Sequence, residues 1–176
     1  MQSDRIFPDE LAAAARELAD ALERNQTRIV FAESCTAGLV SASLATVPGI
    51  SRWLCGSAVT YQEATKSRWL DVRPQDLEEF TAVSEQVARS MACGVLAITP
   101  HAECAVSVTG HLGPGAPPDL DAVVFVGTAI RQPGEKRIEM GLAKRFVLLA
   151  PDRHSRQVEA AILVLRESKT QVNRPV

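Results

Sequence analysis

The sequence predicts one α/β domain in which helices cover a mostly buried sheet. Helix and strand signals alternate along the chain, and strand-like runs such as 28–32 and 104–108 are largely apolar, as in strands with both faces covered. The 176 residues, 46% of them apolar, fit one domain with a sizeable core. No internal repeat, linker or low-complexity tract divides the sequence, which further favours a single domain.

The first half of the chain is predicted to contain four helical segments and two strands. Pro8 suits the first turn of a helix, and Pro48-Gly49 suits the end of one. The predicted helices span about 8–22, 36–46, 63–70 and 74–79, and the predicted strands span 28–32 and 57–61.

The second half is predicted to contain a long helix, three strands and a final helix. Ser84 is expected to cap the long helix, and Pro100 to end it. The predicted strands span 104–108, about 122–130 and about 136–149, with Pro133-Gly134 as the hairpin turn between the last two. The final helix is predicted for about 152–168. The domain is therefore expected to cover residues 1–168, with a polar tail at 169–176.

Charge and cysteine usage narrow the classes of function. The formal net charge of −2 gives no reason to expect a nucleic-acid partner. No apolar stretch is long enough to span a bilayer, and the first residues lack the apolar core of a signal peptide. The cysteines form no CxxC pair and lack zinc-ligand spacing, which predicts reduced thiols in a cytoplasmic protein without a bound metal.

The most informative motif is Glu33-Ser34-Cys35-Thr36 at a predicted strand-to-helix turn. Backbone N–H groups and the helix dipole at such a turn can hold a phosphate, or the oxyanion formed when a hydroxyl attacks a carbonyl. Two alternatives stay open. Ser34 or Thr36 could merely cap the helix, and Cys35 could itself be the nucleophile.

Tyr61 and Lys66 form a second candidate pair, five residues apart. Tyr61 is predicted to end a strand, and Lys66 to lie in the first turns of the next helix. Taken alone, Lys66 is interpreted as a solvated surface charge, because lysines are rarely buried. Tyr61 fits a half-buried packing residue.

Two later segments complete the candidate site. Thr109, Gly110 and Gly113 lie in a glycine-rich loop after a buried strand, where the backbone can approach a ligand closely or simply turn at the surface. Arg153 follows Asp152 at the start of the last helix, where its guanidinium could reach a phosphate or remain an ordinary exposed charge.

Together these blocks resemble the CinA C-terminal-domain family, the stand-alone nicotinamide-nucleotide amidohydrolases. The Glu-Ser-Cys-Thr block and the Tyr-x-x-x-x-Lys block are the specific matches, and the resemblance covers nearly the whole chain. It implies a single-domain three-layer α/β/α sandwich with a mixed sheet. It also implies cofactor-free hydrolysis of the carboxamide of nicotinamide mononucleotide to nicotinic acid mononucleotide and ammonia.

The resemblance implies roles for individual residues. Ser34 would be the nucleophile, Lys66 its base, and Tyr61 an assistant that orients the lysine or shuttles a proton. Cys35, Thr36 and Gly38 would help to bind the substrate, and the backbone N–H groups around Cys35 and Thr36 are the natural donors to the oxyanion. Thr109, Gly110, Gly113 and Arg153 would line the site of the nucleotide substrate. A homodimer is also implied. The alternative is a divergent member that binds a nucleotide-like ligand or a partner protein without turnover.

Departures from the family pattern concern the substrate-binding residues. Ala37 replaces a glycine of the turn, His111-Leu112 replaces an apolar pair, and residues 116–121 bring in two aspartates where a neutral stretch with a lysine is usual. Gln157 stands where a second arginine is expected. Arg156 is not an obvious substitute for it, because side chains turn about 100° per residue on a helix.

Overall fold

A mixed five-stranded sheet lies between two helical layers, which confirms the predicted three-layer α/β/α sandwich. The computed structural model describes residues 3–132 and 137–174, with side chains from residue 9 onward. The strands are β1 (Ile29–Glu33), β2 (Leu54–Val59), β3 (Cys104–Gly110), β4 (Val123–Arg131) and β5 (Ile138–Val147). The helices are α1 (Ser3–Asn25), α2 (Leu39–Ala45), α3 (Glu63–Leu70), α4 (Pro74–Phe80), α5 (Glu85–Ala97) and α6 (Arg153–Val172).

The strand order is β2-β1-β3-β4-β5. β1 runs parallel to both β2 and β3, whereas β4 is antiparallel to β3 and β5. Parallel neighbours need crossover connections, and here α2 joins β1 to β2 while α3, α4 and α5 lie between β2 and β3. The carboxyl ends of β1, β2 and β3 therefore meet at one edge of the sheet.

Each face of the sheet packs against its own helical layer. Along β1, Ile29 and Phe31 point into a core formed with α1, α2 and α6, while Val30 and Ala32 point into a core formed with α3 and α5. All five residues of β1 are buried. This explains why the strand is continuously apolar up to Glu33 and does not alternate between apolar and polar residues.

Two helices begin elsewhere than the sequence pattern predicts. α1 begins at Ser3 and not at Pro8. α2 begins at Leu39 and not near residue 36, because Ala37 and Gly38 adopt φ values of 53° and 95° that no α-helix accommodates. Ser84 caps α5 as predicted, accepting from the N–H of Val87.

The other differences concern β2 and the last helix. β2 ends at Val59, so Thr60 and Tyr61 follow the strand instead of completing it. α6 continues through residues 169–172, which were predicted as tail, because Ser168 and Val172 are buried. The predicted turn at Pro133-Gly134 lies outside the described residues. In the portion of the chain that the structure describes, no helix is both long and apolar enough to cross a bilayer.

Candidate active site

Ser34 lies at the carboxyl end of β1, on the turn formed by residues 34–38. Its N–H donates to the carbonyl of Val108 on β3 at 3.0 Å, and its own carbonyl accepts from the N–H of Ala37 at 3.0 Å. These bonds fix the backbone of the turn against the neighbouring strand. The Ser34 side chain is nearly buried, with 7% of the residue exposed.

Glu33 is the residue that organises this turn, and sequence reasoning missed it. Its fully buried carboxylate accepts from the hydroxyl of Thr36 at 2.8 Å and from the N–H groups of Gly38 at 3.0 Å, Val40 at 3.1 Å and Ser41 at 3.0 Å. The hydroxyl of Ser57 on β2 adds a fifth bond at 3.0 Å.

The capping interpretation of Ser34 and Thr36 is therefore wrong. The N-cap position of α2 is Gly38, which offers no side-chain cap, and the carboxylate of Glu33 bonds the first N–H groups of the helix instead. A carboxylate suits this position because the helix dipole favours negative charge at its amino end. An acidic residue directly before the turn was the signal in the sequence.

Lys66 meets Ser34 across the interior of the site. Lys66 Nζ lies 2.8 Å from Ser34 Oγ and donates to the carbonyl of Thr60 at 2.7 Å. The residue is 1% exposed, so the interpretation of Lys66 as a surface charge is wrong. Burial lowers the pKa of the amine from 10.5 to about 8, although the negative charge of Glu63 opposes the shift.

Tyr61 lies at the mouth of the site, 56% exposed. Its phenol oxygen accepts from Arg153 Nη2 at 2.8 Å. In the described residues the hydrogen-bond partners of Lys66 Nζ are Ser34 Oγ and the Thr60 carbonyl. The lysine is therefore oriented by a backbone carbonyl, and the phenol of Tyr61 instead orients Arg153, which also donates to the carbonyl of Gly113.

Thr109 and Gly110 at the end of β3, together with Gly113 in the loop that follows, form one wall of the site. Local contacts and backbone conformation explain why these residue types occur there. The hydroxyl of Thr109 donates to the carbonyl of Ala82 at 2.7 Å. A Cβ on Gly110 would lie 2.4 Å from a methyl group of Val124, so the glycine permits close approach of β4. Gly113 adopts φ 69°, in the region that favours glycine.

These elements enclose a cavity of about 470 Å³. It takes in every predicted site residue except Thr36 and Gly38, which belong to the turn behind it. His111 also lines the cavity. The structure thus brings together Ser34, Lys66, Tyr61 and Arg153, which lie far apart in sequence.

Cys35 is unsuited to act as the nucleophile. Burial raises the pKa of its thiol to about 12, and the residue is 5% exposed. Because the thiolate is the reactive form, a thiol with such a pKa is inert at neutral pH. Ser34, which contacts a buried amine, is the better candidate for a nucleophile.

The residues that depart from the family pattern have specific conformations or contacts around the site. Ala37 adopts the left-handed conformation that the turn requires, with φ 53°. Arg156 contacts Asp121 at 3.2 Å and the carbonyl of Ala150 at 3.0 Å, so the acidic loop is partly neutralised. Gln157 Nε2 donates to the carbonyl of Thr36 at 3.0 Å and thereby contacts the turn that follows Ser34.

The residues 3–132 and 137–174 contain no cluster of three or more His, Cys, Asp or Glu side chains placed to hold a metal ion.

Comparison with known proteins gives consistent matches. The family model described as the CinA C-terminal domain matches residues 11–167. A CinA-like protein of Myxococcus xanthus (strain DK1622) is 38% identical over 134 residues, which are 76% of this chain and 32% of that protein. A CinA-like protein of Chlorobaculum tepidum is 41% identical over 148 residues, 82% of this chain and 34% of that protein. The chain thus spans about a third of the length of these relatives.

Solved structures share the fold. The crystal structure of the competence damage-inducible protein A (ComA) from Klebsiella pneumoniae superimposes with a TM-score of 0.81 at 27% identity, covering 92% of this chain and 96% of that one. The competence/damage inducible protein CihA from Agrobacterium tumefaciens gives a TM-score of 0.78 at 28% identity, covering 94% and 96%.

Proposed function

The chain belongs to the CinA C-terminal-domain family, and on that premise we propose that it hydrolyses the carboxamide of nicotinamide mononucleotide to nicotinic acid mononucleotide and ammonia. The observation that carries the proposal is the contact of 2.8 Å between Lys66 Nζ and Ser34 Oγ inside a cavity. A hydroxyl and a buried amine at this distance form a nucleophile and its base.

The first half of the reaction acylates the enzyme. Neutral Lys66 takes the proton of Ser34, and Ser34 Oγ bonds to the carboxamide carbon of the substrate. The C–N bond then breaks, and the proton held by Lys66 goes to the departing nitrogen, which leaves as ammonia. With a pKa of about 8, about a tenth of the amines are neutral at pH 7.

The second half regenerates the enzyme. Lys66 takes a proton from water, and the hydroxide formed attacks the ester carbonyl on Ser34. The ester bond breaks, Ser34 recovers its proton from Lys66, and the nicotinic acid product leaves. In both halves the Thr60 carbonyl, 2.7 Å from Lys66 Nζ, keeps the amine aimed at Ser34.

The remaining groups of the cavity suit the rest of the nucleotide. We propose that Arg153 binds the 5′-phosphate, since its guanidinium lies at the mouth, held by Tyr61 and Gly113. Asp121, which would repel a phosphate, is paired with Arg156. A pyridinium ring near Lys66 would favour the neutral amine further.

Ammonia release from the mononucleotide, measured with purified protein, tests this function. We expect turnover by the wild type and loss of at least a thousandfold in Ser34→Ala and in Lys66→Ala, as for other enzymes deprived of nucleophile or base. Lys169→Ala, at a surface lysine bonded to Glu17, serves as the matched control and should retain turnover. Binding of the mononucleotide without ammonia release, at high protein concentration, would instead support the non-hydrolytic family member.

Two further expectations accompany this proposal. The resemblance implies a homodimer, which light scattering on purified protein measures directly. The cysteine pattern predicts a cytoplasmic protein, and fractionation of the source cells tests this location.

A further inference from the structure

Gln157 contacts the turn that carries the nucleophile. It lies one helical turn after Arg153 on α6, so the two side chains share a face of the helix. Gln157 Nε2 donates to the carbonyl of Thr36 at 3.0 Å and lies 3.5 Å from the carbonyl of Cys35. The amide of Gln157 therefore lies on the carbonyl side of the turn formed by residues 34–38.

The opposite side of the peptide between Cys35 and Thr36 offers a free donor. Within the described residues, the N–H of Thr36 donates to no acceptor. Because a trans peptide is planar, its C=O and the following N–H point in opposite directions. A donor that fixes the Cys35 carbonyl thus also fixes the direction of the Thr36 N–H, and it polarises that N–H towards an acceptor.

The turn of residues 34–38 has an unfavourable backbone conformation, so hydrogen bonds from other parts of the chain are needed to stabilise it. Ala37 has φ 53°, a conformation that costs an L-residue energy. Glu33 bonds the hydroxyl of Thr36 and the N–H of Gly38, and the carbonyls of Ser34 and Thr36 accept from the N–H groups of Ala37 and Leu39. Among the described residues, the Cys35 carbonyl has Gln157 Nε2 as its hydrogen-bond partner.

We propose that Gln157 is a positioning residue, which holds the peptide between Cys35 and Thr36 so that the Thr36 N–H points at the oxyanion that forms when Ser34 attacks. The proposal rests on the proposed hydrolysis at Ser34. It assigns Gln157 no contact with substrate. Its effect is exerted through the turn, from the same helical face that carries Arg153.

Three substitutions separate hydrogen-bond donation from size and charge. Gln157→Leu keeps the size and removes the donor, Gln157→Glu replaces the donor with an acceptor, and Gln157→Arg restores a donor. Gln171→Leu, on the same helix near its other end, is the matched control. The readouts are kcat and KM for the mononucleotide, and the rate at which a fluorophosphonate labels Ser34, followed by intact mass.

Labelling reports on the turn without requiring the true substrate. In this reaction the Ser34 Oγ–phosphorus bond forms, fluoride leaves, and the serine proton goes to Lys66, while the phosphoryl oxygen occupies the oxyanion position. We expect Gln157→Leu to lower both kcat and the labelling rate about ten- to hundredfold with KM nearly unchanged. Gln157→Glu should lose at least as much, and Gln157→Arg and Gln171→Leu should stay near the wild type.

Each outcome is decisive. Equal labelling rates and equal kcat in Gln157→Leu and the wild type overturn the positioning role, as does a loss in Gln157→Leu that Gln157→Arg fails to restore. Labelling of the wild type at Ser34 without ammonia release overturns only the choice of substrate, and the labelling rates then still judge Gln157. A wild type that is not labelled at Ser34 and releases no ammonia, with Ser34→Ala defining the background of both assays, overturns both proposals.

Discussion

In the proposed mechanism Lys66 acts as a base only while its amine is uncharged, and burial sets the pH at which this occurs. The pKa is lowered to about 8 because the buried ammonium loses hydration. We therefore expect kcat/KM for the mononucleotide to rise about tenfold per pH unit below about 8 and to level off above it. Initial rates between pH 6 and 9.5 measure the profile, with Lys169→Ala as the control. A profile that is flat or that falls with rising pH contradicts the assignment of the base.

Ala37 is the non-glycine residue of the turn that adopts a positive φ, a conformation that strains a residue with a Cβ atom. Its φ of 53° costs an L-residue about 1 kcal/mol, so Ala37→Gly should raise the free energy of unfolding by about 0.5 kcal/mol after the greater entropy loss of glycine. Urea unfolding measures the change. Ala42→Gly, in the middle of α2, is the control and should lower the stability by up to about 1 kcal/mol. Equal effects at both positions would argue against strain at Ala37.

The sequence predicts Ser34 and Lys66 as residues of one site, whereas it does not predict the contacts of Glu33 and Gln157. Ser34 and Lys66 belong to blocks that resemble a known family, and the resemblance implies roles for both of them but none for Glu33. Glu33 and Gln157 act through contacts with the turn of residues 34–38, and those contacts depend on its positive φ values at Ala37 and Gly38. An alanine gives no sign in the sequence that it adopts such a conformation.

The buried carboxylate of Glu33 bonds the first N–H groups of α2. Replacing Glu33 should therefore lower the stability of the protein strongly. Glu33→Gln places an amide NH₂ where the N–H groups of the helix need an acceptor, leaving buried donors unpaired. We expect a loss of about 2–4 kcal/mol in the free energy of unfolding. The urea midpoint measures this loss. Glu23→Gln, at an exposed glutamate of α1, should change it by less than about 0.5 kcal/mol, and equal midpoints for the two variants would refute the capping role.

Most helices and strands could be predicted from periodicity, but their ends could not. β2 was placed three residues late, because Leu54 and Cys55 are only half-buried on an edge strand and give a weak pattern. The difference has a chemical effect, since the end of β2 at Val59 leaves the Thr60 carbonyl available to Lys66. α6 extends to Val172 because it packs along α1, a contact between the two ends of the chain that no local pattern contains.

The strand order of the whole molecule could be expected only through the family resemblance. β1 lies between β2 and β3, and the pairing of β1 with β3 joins residues about 75 apart, such as Val30 and Ala105. This pairing carries Ser34 and Thr109 to the same edge of the sheet. Periodicity predicts that the strands exist, but it contains no information on which strands are neighbours.

Ligand binding should stabilise the whole fold, because the cavity joins β1, α3, the loop after β3 and α6. In Ser34→Ala, which cannot turn over, the mononucleotide at a hundredfold excess over its Kd should add about 2.7 kcal/mol. For a domain of this size the gain raises Tm by roughly 5–10 °C. Thermal scans measure the shift. Arg153→Ala in the same background should lose most of it, and a shift equal in both variants would exclude Arg153 from phosphate binding.

Among the described residues, none from β4 or β5 lines the cavity, so these two strands contribute no side chain to the proposed chemistry. β5 is the edge strand of the sheet, and Met140 and Leu142 are exposed on it. If the proposed reaction is what selection preserves, this edge is free to diverge. New associations through β5 can then be gained or lost while the proposed catalytic site is inherited unchanged.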